Sequence, residues 1–364
     1  MTAAGTLDPS RAPAGGRHAV IAGAAAWLPS RIVSNEELCA RLDTSDEWII
    51  SRTGIRFRHL VDPGMSTGDL ATEAGALALK AAGATDVDAV ILATTTPDRL
   101  CPATAPDVAA RLGLTGVAAW DVSAVCTGFL YALASAVGMI AASNADRVLL
   151  IASEAFSTII DPQDRSTAVI FGDGAGAMVL RAGRADEPGA IGPCVLGSDG
   201  GNADLICVPG GGARSRSLGA PEADSARYFT MRGGDVYRHA AQRMTDSSLS
   251  ALDRAGWSVL DVDKFAPHQA NSRICAAVAE RLGIPADRQI SNIAQVGNTA
   301  AASIPILLAQ ASAAGDLRPN DKVLVTGFGG GLTWGSVTMT WPDVPAFAAV
   351  GGVSTEVPES AARI

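Results

Sequence analysis

The sequence predicts an α/β fold built around a largely buried sheet. Short apolar runs alternate with longer Ala- and Leu-rich segments, and 48% of the 364 residues are apolar while only 18% are charged. Apolar runs of this length are typical of buried strands, and their alternation with helical segments is typical of βαβ units. The same composition argues against a disordered chain.

The elements follow in order along the first half of the chain. Strands are predicted at Val20–Ala26, Val87–Ala93, Val148–Ser153 and Ala175–Leu180. Helices are predicted at Gly68–Ala82, Ala105–Leu112 and Thr127–Ala142. The uncharged stretch Ala124–Ala142 is long enough for a membrane span. Its Ala, Ser and Gly content and its place in the alternation favour a buried helix of a soluble protein instead.

Motifs that recur in the same order indicate an internal duplication. The segments Ala78–Gly83, Ala110–Gly113 and Asp146–Leu150 recur in the second half, at a nearly constant offset, as Ala251–Gly256, Glu280–Gly283 and Asp321–Val325. A repeat of this kind predicts two similar units, 17–185 and 186–342, which would bring their long Ala-rich helices together. The flanking residues 1–16 and 343–364 are expected to be flexible tails.

Charge and cysteine usage exclude several classes of protein. A net charge of −9 argues against binding to nucleic acid. The six cysteines are spread along the chain with none close to another, so there is no CxxC pair and no expected metal site. This pattern favours reduced thiols in a cytoplasmic protein. Residues 1–16 lack the apolar core of a signal peptide.

Three residues are placed where they can do chemistry. Cys126 lies at a strand-to-helix junction, where unpaired N–H groups and the helix dipole are expected to lower the pKa of a thiol. His268 follows a short apolar strand, and Asn298 precedes the helix predicted at Ala300–Ala314. The duplication assigns all three to the same end of the sheet. A buried structural cysteine and an asparagine N-cap remain open as alternatives.

Two glycine-rich segments are further candidates for contact with a ligand. Ile170–Gly176 precedes a strand and lacks the Gly-Lys-Ser/Thr of a phosphate loop, so a phosphate-binding role is weakly supported. In Thr326–Gly335, successive glycines would let backbone N–H groups approach a ligand closely, which suits an oxyanion hole.

Together these segments resemble the β-ketoacyl-acyl-carrier-protein synthase III family of the thiolase superfamily. The resemblance extends from Ala19 to Trp341. It is carried by Asp43–Arg56, Asp121–Phe129, Asp161–Arg165, Ile170–Gly176, Pro267–Asn271, Gly297–Thr299 and Phe328–Gly335. It implies a thiolase-like, duplicated βαβαβαββ fold in five layers (αβαβα) and a homodimer.

The resemblance also implies the roles of individual residues. Cys126 would be the acyl-accepting nucleophile, with His268 and Asn298 beside it and with the backbone N–H groups of Cys126 and Gly330 as the oxyanion hole. The implied coenzyme A contacts are Trp48, Arg52, Arg165, Gly233 and Asn271. Cys101 would line the acyl pocket, and the acyl carrier protein would dock on Arg238, Arg273 and Arg281.

The implied reaction is a decarboxylative condensation. An acyl-CoA loads Cys126, and malonyl-acyl-carrier protein then loses carbon dioxide to give a β-ketoacyl-acyl-carrier protein. Acyl-CoA and the carrier protein are the expected partners, with no membrane and no metal or redox cofactor. Three positions depart from the family pattern. Cys101 in place of a bulky residue implies room for a non-acetyl starter, Gly234 for Asn removes one pantetheine or coenzyme A contact, and Glu280 for Lys implies a specialised carrier protein. Together they suggest a starter-unit ketosynthase that primes polyketide or fatty-acid synthesis.

Three alternatives remain at this point. A non-condensing acyltransferase would pass the acyl group from Cys126 to a hydroxyl, amine or thiol, and the presence of Asn298 argues against it. A catalytically silent subunit of a synthase complex would be expected to lack Cys126. A hydroxymethylglutaryl-CoA-type synthase would need a glutamate base, for which Glu154 is the candidate.

Overall fold

The computed structural model describes residues 16–219, 223–351 and 353–355. Its strands are β1 His18–Leu28, β2 Arg31–Ser34, β3 Phe57–Leu60, β4 Ala89–Ala93, β5 Ala118–Val122, β6 Arg147–Glu154, β7 Gly174–Gly183, β8 Ile191–Ser198, β9 Ile206–Cys207, β10 Thr230–Met231, β11 Lys264–Pro267, β12 Lys322–Gly329, β13 Thr333–Thr340, β14 Ala346–Val350 and β15 Val353–Thr355. Its α-helices are α1 Asn35–Cys39, α2 Asp46–Thr53, α3 Thr67–Ala82, α4 Ala105–Arg111, α5 Gly128–Ala141, α6 Ala213–Ser217, α7 Gly233–Ala255, α8 Ser272–Leu282, α9 Ile293–Val296 and α10 Ser303–Ala313.

Two sheets repeat one topology. The larger has the order β15-β14-β1-β7-β6-β4-β5 and the smaller the order β11-β12-β13-β8. In each, a parallel pair (β4 with β6, β11 with β12) is followed by two antiparallel neighbours. Strands β11 and β12 follow β4 and β6 at one constant offset in the numbering, and the 3₁₀ turns Val125–Thr127 and Ala300–Ala302 are related by the same offset. The duplication predicted from the sequence is confirmed.

The two sheets are separated by a central pair of helices. Helices α5 and α10 contact both sheets, while α3 covers the outer face of the larger sheet and α7 that of the smaller. Neither α5 nor α10 contains a charged residue, as expected for helices buried on two sides. The result is the five-layer αβαβα arrangement.

Ala124–Ala142 therefore forms the 3₁₀ turn and α5, a buried helix of 14 residues, as the alternation of elements predicted. No helix within the described residues is both long and apolar enough to cross a membrane.

The prediction of a flexible C-terminal tail from residue 343 is wrong for its first part. Strand β14 pairs in parallel with β1 over Ala24–Leu28, and β15 pairs with β14. Ala346 and Ala349 are buried, because β14 covers what would otherwise be an open sheet edge. Residues 356–364, and residues 1–15 of the predicted N-terminal tail, lie outside the described residues.

Candidate active site

Cys126, the predicted nucleophile, lies in a strained turn between β5 and α5. Cys126 occupies the middle of the 3₁₀ turn, and Val125 before it has a φ of +47°. A β-branched residue rarely adopts this left-handed conformation, which costs of the order of 1–3 kcal/mol. Ala300, the equivalent residue of the second half, has a φ of +45°. The same strained turn therefore begins both central helices.

The glycine-rich end of β12 lies against this turn. A Cβ at Gly329 would lie 2.8 Å from the backbone nitrogen of Cys126, and one at Gly330 would lie 3.1 Å from Val125 Cγ2. Only glycine fits this approach. The backbone of Gly329–Gly330 thus stands beside Cys126, as an oxyanion hole requires.

His268 follows β11 with both ring nitrogens free of hydrogen bonds. Its backbone N–H donates to Thr326 O at 2.8 Å, and the Cys275 thiol donates to His268 O at 3.4 Å. The side chain is buried, and neither Nδ1 nor Nε2 has a partner within the described residues. Burial lowers the pKa of His268 to about 3, so the imidazole is neutral and can donate at one nitrogen while it accepts at the other.

Asn298 is fixed by backbone contacts on both sides. Its N–H donates to Ile170 O at 3.0 Å, and its carbonyl accepts from Gly172 N–H at 2.9 Å. Its Oδ1 accepts from Ala300 N–H at 2.9 Å in an Asx turn, which leaves Nδ2 to donate elsewhere. The N-cap position of the 3₁₀ turn is Thr299, so the N-cap alternative for Asn298 is wrong by one residue.

The expected lowering of the thiol pKa is not found. Burial, with a smaller contribution from the charge of Glu154, raises the pKa of Cys126 to about 12, and only the backbone N–H of Cys126 acts in the opposite direction. The sequence shows that a helix begins here but not that the thiol is buried, so the helix effect was given too much weight.

A cleft leads from the surface to these three residues. Its outer part, about 550 Å³, is lined by residues that include Trp48, Arg52, Gly233 and Asn271. Its inner chamber, about 40 Å³, is bordered by Cys126, His268 and Asn298. Asn298 borders both parts, so the two are continuous.

Most of the predicted coenzyme A contacts line the outer cleft. Trp48, Arg52, Gly233 and Asn271 do so directly, and the guanidinium of Arg165 lies 6.0 Å from the ring centre of Trp48. Asn271 is also a structural link, since its Nδ2 donates to Arg52 O and its Oδ1 accepts from Arg273 N–H.

Of the remaining predicted residues, only one lines the cleft. Arg273 lines the cleft, whereas Arg238 and Arg281 are exposed on α7 and α8. Cys101 is exposed and does not line the chamber of its own chain, because the loop after β4 carries it to the surface. Glu154 is buried against Thr94–Thr96 and also lies outside the chamber, which argues against a base in the manner of a hydroxymethylglutaryl-CoA-type synthase.

The walls of the chamber were not predicted residue by residue. Phe171 and Phe229 border it with ring centres 5.1 Å apart, and both pack against Phe156. Met231 and Ile274 border both the chamber and the outer cleft. Phe171 lies within the motif Ile170–Gly176, but the direction of its side chain follows only from the fold. No group of three or more His, Cys, Asp or Glu within the described residues is arranged to hold a metal.

A duplicated five-layer fold with cysteine, histidine and asparagine at the junction of its halves defines a thiolase-like condensing enzyme. Two family models match, 3-oxoacyl-[acyl-carrier-protein] synthase III over residues 120–200 and its C-terminal region over residues 252–341. β-Ketoacyl-[acyl-carrier-protein] synthase III 3 of Streptomyces coelicolor is 58% identical over 90% of this chain and 98% of its own.

Solved structures agree with these matches. 3-Oxoacyl-(acyl carrier protein) synthase III of Pseudomonas aeruginosa is 51% identical, with a TM-score of 0.84 over 90% of this chain and 99% of its own. The priming β-ketosynthase of a polyketide biosynthetic pathway is 32% identical, with a TM-score of 0.84 over 90% and 97%. The chain therefore belongs to the β-ketoacyl-acyl-carrier-protein synthase III family, and the predicted condensing reaction is confirmed.

Proposed function

We propose that Cys126, His268 and Asn298 carry out an acyl transfer followed by a decarboxylative condensation. The observation that carries this proposal is their position around one small chamber at the end of a cleft with arginines at its mouth. An acyl-CoA would place its thioester beside Cys126. Neutral His268 can accept the thiol proton as the sulfur attacks, and the oxyanion would be stabilised by the N–H groups of Cys126 and Gly330.

The second step uses the same groups as donors. Coenzyme A leaves as its thiol, and malonyl-acyl-carrier protein enters the cleft. Loss of carbon dioxide leaves an enolate, whose oxygen would accept hydrogen bonds from His268 and from Asn298 Nδ2. The enolate carbon attacks the acyl carbon, and the Cys126 sulfur leaves as a thiolate, which takes up a proton from solvent to restore the thiol. Acyl-CoA and the malonyl carrier are thus substrates, and this scheme uses no cofactor.

We also propose a non-acetyl starter, which rests on Cys101 in place of a bulky residue. Since one water needs roughly 10–15 Å³, the 40 Å³ chamber of one chain holds only a short acyl group. Cys101 lies at the surface, so it would widen the pocket across an interface between two copies. A homodimer is therefore part of this proposal, and light scattering of the purified protein would test it.

The proposed reaction is tested by intact-protein mass spectrometry with a panel of acyl-CoAs, followed by malonyl-acyl-carrier protein. We expect one acyl adduct on the wild type, none on Cys126→Ala, and a β-ketoacyl carrier with released carbon dioxide. Preference for acetyl-CoA would contradict the non-acetyl starter. An adduct that the malonyl carrier never discharges would favour a non-condensing acyltransferase, and the absence of any adduct would overturn the role of Cys126.

A further inference from the structure

Two threonine hydroxyls join the turn that carries Cys126 to the glycine-rich end of β12. Thr127 directly follows Cys126 and is fully buried, and Thr333 begins β13. The Oγ1 atoms of the two threonines lie 2.7 Å apart. Thr127 Oγ1 also lies 2.8 Å from Ala124 O. Thr333 Oγ1 lies 2.8 Å from Gly330 O and 3.3 Å from Ala124 O. The proposed reaction uses neither side chain.

The short distance between the two oxygens sets the direction of this chain of hydrogen bonds. Two hydroxyl oxygens 2.7 Å apart must share a proton, because their lone pairs would otherwise repel each other. If Thr127 donates to Thr333, the proton of Thr333 goes to Gly330 O. Ala124 O then accepts from the backbone N–H of Thr127 at 3.1 Å. In the opposite direction Gly330 O would lose the Thr333 hydroxyl, so a chain from Thr127 to Thr333 to Gly330 O serves both carbonyls.

The segment that contains Gly330 needs a restraint of this kind. Residues 329–331 are three successive glycines. Glycine has more backbone freedom than any other residue, so an N–H donor on such a segment is not rigid by itself. Beyond the glycines, Leu332 exchanges two backbone hydrogen bonds with Asp199, at 2.8 and 2.9 Å. The hydroxyl chain adds a second attachment, which fastens Gly330 to the turn before α5.

We propose that Thr127 and Thr333 are positioning residues, whose hydroxyls hold the backbone N–H of Gly330 beside that of Cys126 in the oxyanion hole. This inference rests on the oxyanion hole of the proposed function. Donors that are fixed in advance need no rearrangement as the oxyanion forms, so their spacing affects the rate. Neither threonine borders the chamber or the outer cleft, so any effect on the reaction has to pass through the backbone.

Two reactions of Cys126 distinguish this role from a general loss of structure. In acylation, the sulfur attacks a carbonyl carbon and the carbonyl oxygen becomes an oxyanion, which needs the backbone donors. In alkylation by iodoacetamide, the sulfur attacks a saturated carbon, its proton is released and iodide leaves, so no oxyanion forms. Both reactions need the same thiol at the end of the same cleft. A misplaced Gly330 N–H should therefore slow acylation and leave alkylation unchanged.

The test replaces each threonine by valine, which keeps the shape of the side chain and removes the hydroxyl. In Thr127→Val and in Thr333→Val, we expect acylation at saturating acyl-CoA, followed by coenzyme A release, to fall about tenfold or more. The double variant should fall no further than the single variants, because one missing hydroxyl already breaks the chain. Binding of coenzyme A, measured by calorimetry, and alkylation by iodoacetamide should remain as in the wild type.

Three further variants supply the controls. Thr127→Ser and Thr333→Ser keep the hydroxyl and should restore most of the acylation rate. Thr72→Val removes a threonine hydroxyl that donates to Gly68 O at 2.7 Å in α3, on the outer face of the larger sheet. It should leave acylation unchanged.

Two results would overturn the proposal. Unchanged acylation in the valine variants would show that the hydroxyls do not position Gly330, and equal falls of acylation and alkylation would show only a distorted turn. If Thr127→Val does not fold, Thr333→Val tests the same chain from a half-buried position. A wild type that is alkylated but never acylated would instead contradict the proposed function.

Discussion

At the scale of single residues, burial sets the protonation of Cys126 and His268. The thiol and the imidazole are both neutral, because desolvation penalises each charged form. They therefore do not form a thiolate–imidazolium pair in advance. In the proposed reaction, the proton would move only once a thioester is bound and its oxygen accepts from the backbone N–H groups. Activation of the thiol would thus take place in the complex with substrate.

Replacement of Asn298 should separate the two steps of the reaction. In Asn298→Ala the nucleophile, His268 and the glycine-rich backbone remain, so acyl adducts should still form on Cys126. The enolate would lose one of its donors, and loss of such a donor costs about 10²–10³ in rate. Carbon dioxide release should therefore fall by about that factor. Equal loss of acylation, measured by mass spectrometry, would contradict this assignment, and Asn292→Ala serves as the control outside the chamber.

His268 and Glu154 should affect stability with opposite dependence on pH. The folded pKa of His268 is lowered from 6.5 to about 3, so its contribution is lost as the pH falls below about 6.5. The folded pKa of Glu154 is raised from 4.5 to about 7, so its contribution is lost as the pH rises through 7.

Urea unfolding at pH 7.5 and 5.5 tests these signs. As the pH falls from 7.5 to 5.5, the free energy of unfolding of His268→Gln should rise by about 1 kcal/mol relative to that of the wild type. The reason is that one pKa unit corresponds to about 1.4 kcal/mol. Over the same fall in pH, the free energy of unfolding of Glu154→Gln should decrease relative to that of the wild type. His18→Gln, at the start of β1, is the matched histidine control. Parallel pH curves for wild type and both variants would show that these groups are not shifted by burial.

At the scale of elements, β14 shows how a strand from the C-terminal part of the chain extends the larger sheet beyond β1. Ala349 is 4% exposed and packs in the cluster formed with α3, while the next residue, Val350, is 37% exposed. The two side chains point to opposite faces of the strand.

Because an unpaired buried carboxylate is strongly destabilising, Ala349→Asp should lower the free energy of unfolding by about 3 kcal/mol. Val350→Asp should change it by less than about 0.5 kcal/mol. Similar effects of both variants in urea unfolding would contradict this packing.

The sequence predicted fully buried strands better than partly buried ones, for a physical reason. Strands β1, β4, β6 and β7 bury nearly every side chain, so each appears as a continuous apolar run. Strand β14 is only partly buried, and its pairing depends on β1, which comes from the opposite end of the chain. No local sequence pattern indicates a strand partner that is so distant along the chain.

At the scale of the whole molecule, the duplication made the site predictable. It predicts that Cys126, His268 and Asn298 lie at one end of the sheets, and all three border the same chamber. Properties that depend on how the halves close on each other were not predictable. The burial that raises the thiol pKa is one, and the exposure of Cys101 is another.

Arg238, Arg273 and Arg281 form the face on which we propose that the carrier protein docks. The chain carries a net charge of −9, yet Arg238 and Arg281 are exposed on α7 and α8 beside the cleft that Arg273 lines. An acidic carrier would be steered to this face by charge. Arg238→Glu should raise KM for malonyl-acyl-carrier protein about tenfold, which corresponds to about 1.4 kcal/mol, and should leave acylation by acyl-CoA unchanged.

Helix α7 offers a matched control in Arg254, which is exposed in its last turn, about 24 Å from Arg238 at about 1.5 Å per residue. Arg254→Glu makes the same charge change and should leave KM for the carrier unchanged. Both values should be measured at two salt concentrations, since steering by exposed charges weakens with ionic strength. An equal rise of KM in the two variants would show that only net charge matters, and would remove Arg238 from the docking face.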